Sequence, residues 1–549
     1  MTRLVVAASC LMSIQALAGA SVPVLATTVP ALGAGMNLSG EHAIRCADEG
    51  LGLVAACRQF TDSLLTQDGH FLVFYTRDGT DAVSPLDANG DGTPDFVEAV
   101  GSAFERSYAV QVEELGFVPP PNTVAWSQPY RVYVRDLGTS RGVTVEEGRD
   151  PGAPVQHRLA SHIEVDNDFI SPQEHLSPEA AIRATAAHEF FHAIQLGYVS
   201  RLITVDGFFA ELSAIWMEEQ VFPGIEDYRH YLGDFFSAPD IPLNAVSLTV
   251  PRIINHMYGA SVFAFYLAER FGREVIRQIW EEMVHEPALE AINRVCAAHG
   301  STFEDEFTRF SIWNYFTGSR HQPGYGYREA ATFPEVATAK DTVVGAYAAF
   351  AGQAYFLTAT YLPFRLSQPG SYRLILDGAV LAHWRLAAVV EEPAGTRIHQ
   401  VGPGQAITLD IASAPQAVMV VVCNVDRSVE IRMLYFKEKP EDYLLMLQKL
   451  DSSQARDGVP FEVLSAHPNP SPHRVTFTID RRVMLPIVLD VVDVLGRQVA
   501  HHAFPTQRSG LFQVTWPWDQ ALTTCPGVHF FRFSCPSHTQ TVKVTFLRP

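Results

Sequence analysis

The sequence predicts an α+β multidomain protein, a mainly helical unit followed by two antiparallel β-sandwich domains. Three observations predict it. Between 122 and 335, runs free of Gly and Pro carry apolar residues at helical spacing. From 336 onward, short alternating runs are separated by Pro, Gly and Asn, which reads as strands and turns. The length, 549 residues, exceeds what one hydrophobic core holds.

In chain order, residues 1–20 read as a signal peptide. Arg3 supplies the positive start, 4–17 is mostly apolar, and Ala16-Leu17-Ala18 offers a small-residue cleavage site. That run is short for a membrane anchor, so a secreted or cell-surface protein is expected. Residues 21–121 form a leading region in which 70–75 reads as a strand. Its strongest element is an acidic loop. Asp87, Asn89, Asp91, Thr93, Asp95 and Glu98 stand at positions one, three, five, seven, nine and twelve, with Gly92 at six. This is the ligand spacing of an EF-hand loop, with Thr93 offering its carbonyl. Pro94 and the lack of a preceding helix argue for a single structural Ca²⁺ loop that fixes the start of a helix over 96–115. The plainer reading is an acidic turn before a helix.

The unit 122–335 opens with strands at 130–134 and 163–165. Ser177-Pro178-Glu179 is a helix start, with Ser as N-cap and Pro at the first helical position. The stretch 180–196 continues that helix, and a second begins near Glu211. Further helices are expected over 225–236, 260–270, 274–284 and 303–315. Trp216, Phe235, Phe236 and Trp313 read as core. A β-sandwich is expected over 336–438, a charged helix or linker over 439–460, and a second β-rich module over 461–549.

The chemistry is concentrated in Ala187-His188-Glu189-Phe190-Phe191-His192 and in Glu211, which follows after eighteen intervening residues. Residues four apart share a helix face, so His188 and His192 can hold one zinc ion. Glu189, beside them, can take the proton of a water on the metal. Glu211 is the favoured third ligand, with Glu218 and Glu219 as rivals. The plainer reading is a helix with two His and a Glu in solvent. Against it, Phe190, Phe191, Ile194 and Leu196 are too apolar for a solvated face, and buried polar groups need partners.

His188-Glu189-Phe190-Phe191-His192 with Glu211 and Ala214 resembles the gluzincin metallopeptidases, with the spacing of their aminopeptidase branch. Tyr258-Gly259-Ala260, ahead of an apolar stretch over 261–271, is similar to the segment that in those enzymes supplies a donor to the tetrahedral intermediate. The resemblance covers about 155–285. It implies a zincin-like catalytic domain, a zinc-dependent peptidase with Glu189 as general base, and Tyr258, with His256 less favoured, as oxyanion donor. The acidic loop upstream and the β-rich tail resemble the layout of secreted bacterial metalloproteases.

There are departures. Ile215 stands where many gluzincins carry an Asp that orients a His ligand, so that carboxylate is not identified. Nothing in Ser161-His162-Ile163-Glu164-Val165-Asp166 matches the motif that reads a free amino terminus, which favours an endopeptidase or a differently built exopeptidase. Residues 163–169 are the expected edge strand for an extended substrate. Residues 461–549, through Pro468-Asn469-Pro470, the run 475–479, Leu495-Gly496-Arg497 and 527–531, resemble C-terminal sorting or FlgD-like Ig-type domains. These imply contact with secretion machinery or attachment to the cell surface.

The net charge of −20 excludes nucleic acid as the main partner, and a protein or peptide substrate is expected. No later stretch is long and apolar enough for a transmembrane segment. Cys46 with Cys57 and Cys525 with Cys535 are candidate local disulfides in an oxidising compartment, and Cys296 and Cys423 buried thiols. The competing function is a catalytically inactive, calcium-stabilised surface or adhesion protein that binds through its β-sandwiches.

Overall fold

The computed structural model describes residues 60–121, 129–149, 159–171, 174–199, 206–247, 250–378, 380–392, 395–428, 439–450, 461–471, 474–481, 487–504, 510–516, 526–535 and 538–547. The signal peptide expected over 1–20, Cys46, Cys57 and Cys525 lie outside them. Cys296 and Cys423 are buried thiols, as expected. The architecture is multidomain α+β, with several antiparallel β-sheet domains.

The first unit is built on a five-stranded mixed sheet. Strands β1 (Asp62–Leu65), β2 (Phe71–Tyr75), β3 (Tyr130–Arg135), β4 (Gly142–Arg149) and β5 (Leu159–Asp166) pair in the order β1-β2-β3-β5-β4. The β2–β3 and β3–β5 pairs are parallel, while β1–β2 and β4–β5 are antiparallel. Helix α1 (Asp95–Tyr108) passes into a π-helical turn over Ala109–Glu114. There the buried Gln111 donates to the Ala187 carbonyl at 2.8 Å. Phe71, Val97, Val132, Phe190 and Trp216 belong to one buried cluster. The leading region is therefore not separate: it supplies two strands and a helix to the same core.

Helix α2 (Pro178–Tyr198) starts as the sequence predicts, with the Ser177 hydroxyl accepting from the Ala180 amide at 3.3 Å. It is followed by α3 (Gly207–Val221), α4 (Arg229–Phe236), α5 (Pro251–Gly259), α6 (Val262–Phe271), α7 (Glu274–Met283), α8 (Ala288–Ala298) and α9 (Phe303–Tyr315). Both α2 and α3 are buried around almost their whole circumference. A helix apolar on all sides belongs in a core, and polar side chains on it must find partners there.

The first β-sandwich packs a sheet of order β11-β10-β13-β8-β6 on one of order β12-β9-β14-β7. Its strands are β6 (Thr342–Val344), β7 (Tyr347–Ala354), β8 (Thr358–Leu366), β9 (Gly370–Gly378), β10 (Trp384–Glu392), β11 (Gly395–Val401), β12 (Ile407–Ile411), β13 (Gln416–Asn424) and β14 (Glu441–Lys449). The linker expected over 439–460 is thus corrected. Tyr443, Leu445 and Leu447 alternate inward as a central strand of the second sheet. The outer face of the first sheet meets α9: Val389 and Val421 join the core of the first unit, and the Tyr361 hydroxyl donates to the Ser311 carbonyl at 2.8 Å. The C-terminal module comprises β15 (Phe461–His467), β16 (Val475–Arg481), β17 (Ile487–Asp493), β18 (Gln498–Phe504), β19 (Gly510–Trp516), β20 (Gly527–Cys535) and β21 (His538–Phe546). They form sheets of order β15-β16-β19 and β18-β17-β20-β21 around an apolar core of its own.

Candidate metal centre

Three donor atoms converge between α2 and α3. The Nε2 atoms of His188 and His192 lie 2.9 Å apart, and the Glu211 carboxylate stands 3.6 and 3.7 Å from them. His188, one helical turn before His192, and Glu211 on the facing helix are brought together as the spacing predicts. All three donor atoms lie within 4.8 Å of one another. A triangle of these sides has a point about 2.0 Å from every corner, which is the zinc–nitrogen distance. The donor set therefore fits a small dication that prefers imidazole and carboxylate.

The opposite ring nitrogens are anchored. His188 Nδ1 meets the Glu218 carboxylate at 2.7 Å, and His192 Nδ1 meets the Gln195 side-chain oxygen at 2.8 Å. Gln195 in turn donates to the Ala210 carbonyl on α3 at 3.0 Å. These contacts fix which nitrogen of each ring faces the centre. Glu218 is thus not the third ligand. It supplies the orienting carboxylate missing at Ile215, from seven residues past Glu211, where it falls on nearly the same helix face. Glu219 does not line the site. Burial works against charge on Glu211, but the adjoining His192 and His188 rings outweigh it and hold the carboxyl well below the usual carboxylate range. Burial pushes Glu218 up to about 7.

Glu189 is buried, and its carboxylate accepts from the Thr144 hydroxyl at 2.7 Å; the same hydroxyl lies 2.9 Å from the Glu189 carbonyl. Thr144 belongs to β4, the outermost strand of the sheet. The sequence reading placed the edge strand at 163–169. That is corrected: β5 pairs on both sides, and β4 is the edge strand on this side of the sheet. The β-branched alternation Val143-Thr144-Val145 is the signal that could have located it. Strand β4 lies so close to α2 that a Cβ on Gly142 would meet Thr185 Cγ2 at 2.6 Å and Glu189 Cγ at 2.9 Å. Only glycine permits that approach.

A small cleft of about 50 Å³ opens beside the cluster, lined by Gly142, His188, Glu189, Glu211, Glu218 and Tyr258 among others. Tyr258 stands on its wall with its ring 5.1 Å from Tyr231. His256 faces elsewhere. It is fully buried against a separate apolar cavity, with Nε2 3.3 Å from the Pro242 carbonyl, so the sequence alternative of His256 as donor is corrected. Arg141, at the start of β4, holds Glu174 through two hydrogen bonds of 2.7 and 2.6 Å and Asp227 through one of 2.7 Å. Sequence reasoning missed Thr144, Arg141, Glu174 and Asp227. Thr144 reaches Glu189 across 45 residues, and Arg141 joins Glu174 and Asp227 across 33 and 86.

In the acidic loop, Asp87 accepts from the Gly90 and Gly92 amides at 2.7 and 2.9 Å. Asp91 accepts from the Thr93 amide at 2.8 Å, and Asn89 reaches the Glu98 carboxylate at 3.3 Å. Gly92 has φ +96°, a conformation that favours glycine. Partial burial and the neighbouring Asp91 charge raise the Glu98 carboxyl above its ordinary range.

Residues 55–316 match the model of a family described as "Family of unknown function (DUF6055)". None of the curated proteins matches. Solved structures with some likeness include a β-glucuronidase from glycoside hydrolase family 2. It is 14% identical, with 34% of this chain and 24% of that one covered and a TM-score of 0.14. A GH2 β-galacturonidase from Eisenbergiella tayi bound to glycerol is 11% identical, with 36% of each chain covered and a TM-score of 0.17. The Parabacteroides merdae β-glucuronidase is 11% identical, with 35% and 28% covered and a TM-score of 0.17. The chain spans between about a quarter and about a third of the length of these proteins. Likeness at this level carries neither fold nor activity across.

The comparisons correct the expectation of a gluzincin peptidase. The matched family is one of unknown function, none of the curated proteins matches, and nothing in the comparisons supports a peptidase. Neither membership of the gluzincins nor hydrolysis of peptide bonds is retained. The competing reading, an inactive calcium-stabilised adhesion protein, gains nothing from them either. No helix among the described residues is long and apolar enough to cross a membrane.

Proposed function

We propose that the cleft between α2, α3 and β4 is a zinc-dependent centre that activates water. The observation that carries this reading is the convergence of His188, His192 and Glu211 within 4.8 Å of one another, with the Glu189 carboxylate on the wall of the same cleft. A zinc ion bound there would lower the pKa of a coordinated water toward neutrality and polarise a substrate oxygen. Glu189 takes the water proton and returns it to the leaving group. Thr144 keeps one Glu189 oxygen engaged, which leaves the other for that proton. Glu218 and Gln195 hold the two imidazoles with Nε2 inward. Tyr258, on the cleft wall, is the candidate donor to developing negative charge. The HExxH helix, the facing helix that carries Glu211 and the edge strand over the cleft support a zincin-like reading of this unit's fold. They do not choose the bond that is broken, and the glycoside hydrolases lend no substrate.

The acidic loop is proposed as a structural calcium site through Asp87, Asn89, Asp91, Thr93, Asp95 and Glu98. A cation there would relieve the repulsion by which the Asp91 charge raises the Glu98 carboxyl. Residues 1–20 support export to the cell surface or medium, with the C-terminal module as the part suited to attachment.

The test of the metal centre is elemental analysis of purified protein together with hydrolysis of p-nitrophenyl acetate, an activated ester open to attack by activated water. One zinc per chain and chelator-sensitive turnover are expected. Turnover that survives complete metal removal would refute the reading.

A further inference from the structure

We propose that the cleft beside the metal cluster contains a subsite for an ammonium group, so that the centre serves substrates carrying a positively charged amine close to the reacting bond. This rests on the metal-centre reading above and adds a substrate class to it.

The first observation is Glu218. It is 7% exposed, and one carboxylate oxygen holds His188 Nδ1. The other, Oε2, is shielded from solvent, has no hydrogen-bond partner and belongs to a side chain that lines the cleft. A buried acceptor left unmet is costly, so a donor that enters the cleft is favoured there.

The second is charge. Glu189, Glu211, Glu218 and Asp227 line the cleft against one guanidinium, that of Arg141. Arg141 is already committed to Glu174 and Asp227 by three hydrogen bonds. Even with a dication on the His188–His192–Glu211 cluster, carboxylates stay in excess.

The third is aromatic. Tyr231 and Tyr258 line the same cleft with ring centroids 5.1 Å apart. Tyrosine faces attract cations, most strongly where water is excluded. A carboxylate oxygen lacking a donor, two phenol rings and an excess of negative charge together define an ammonium pocket. A neutral alcohol would satisfy only the first of these.

The experiment titrates the zinc-loaded full chain with n-butylammonium chloride, and separately with n-butanol as the neutral control of similar shape, by isothermal calorimetry. Zinc content is measured on the same sample. Butylammonium is expected to bind at least about tenfold more tightly than butanol. Tyr231→Leu is expected to remove about tenfold of that affinity with zinc stoichiometry unchanged, since Tyr231 is not among the His188, His192 and Glu211 donors. Equal binding of amine and alcohol, or no amine binding to protein that holds one zinc per chain, overturns the subsite and leaves the metal centre standing. Amine-selective binding by protein that takes up no zinc supports the subsite and overturns the metal centre instead.

Discussion

Among the described residues, two groups of metal-ligating side chains gather their donor atoms within 4.8 Å: His188 with His192 and Glu211, and His383 with Asp426 and Glu441. They differ in what stands behind the donors. In the first, each imidazole turns Nε2 toward Glu211 while its Nδ1 is fixed by Glu218 or Gln195. In the second, both carboxylates address the same nitrogen, His383 Nδ1, at 3.0 and 3.7 Å. The first group lies on two core helices. The second sits where segments of the first sandwich meet, with His383 and Glu441 about a quarter exposed. Convergence alone makes an ion pair. A binding centre also needs the far side of each ligand held, because that support is what keeps the rings oriented.

The largest effect that could break this contrast is catalytic. Glu189→Gln should keep one zinc per chain and lower ester hydrolysis by about 10²–10⁴-fold, the range for loss of a general base; a fully active variant would remove Glu189 from the mechanism. Next comes stoichiometry. His192→Ala or Glu211→Gln should take zinc from one per chain to none at micromolar metal, whereas His383→Ala should leave it at one. Zinc that follows His383 instead would invert the comparison. Glu218→Gln sharpens it: zinc should remain, bound about 10–100-fold more weakly in a competition titration with a chelator. Unchanged affinity would mean that the His188–Glu218 contact is incidental. Thr144→Val should cost about tenfold or less in ester hydrolysis with zinc affinity unaltered, since Glu189 keeps its place on α2 and loses one hydrogen bond. The smallest effect belongs to the acidic loop. Calcium should raise the unfolding midpoint of the full chain by a few degrees and do nothing for Glu98→Gln; identical shifts in both would dismiss the loop as a site.

The helices that carry the centre were legible in the sequence. Ser177 and Pro178 announced α2, and His188 and His192 at a spacing of four needed only helix geometry to share a face. Glu211 was preferred to its rivals on the spacing of the family it resembles. Glu218 was seen as a rival to Glu211, and its contact with His188 was not foreseen. A spacing of seven places a carboxylate on the right face without saying which histidine nitrogen it meets. Strand β4 was missed because it is interrupted by glycine and charge and runs into a stretch rich in Gly and Pro. With it went Thr144, which positions Glu189, and Gly142, whose bare Cα lets the strand approach α2. The linker at 439–460 was misread because its charged residues surround the alternation Tyr443, Leu445, Leu447. Once that strand is paired with β7 and β9, the alternation dominates.

The sequence by itself determined the local order: caps, helical spacing, alternation, and the residue types able to hold a dication. These depend on neighbours within a turn or two of the chain, where backbone geometry is fixed. Only the tertiary structure decided which strand forms the edge, which carboxylate closes the triangle and which supports a ring from behind. Those contacts join segments separated by 30 residues (His188–Glu218), 45 (Thr144–Glu189) and 86 (Arg141–Asp227). Such pairs are selected by the packing of a shared core, which no local pattern encodes.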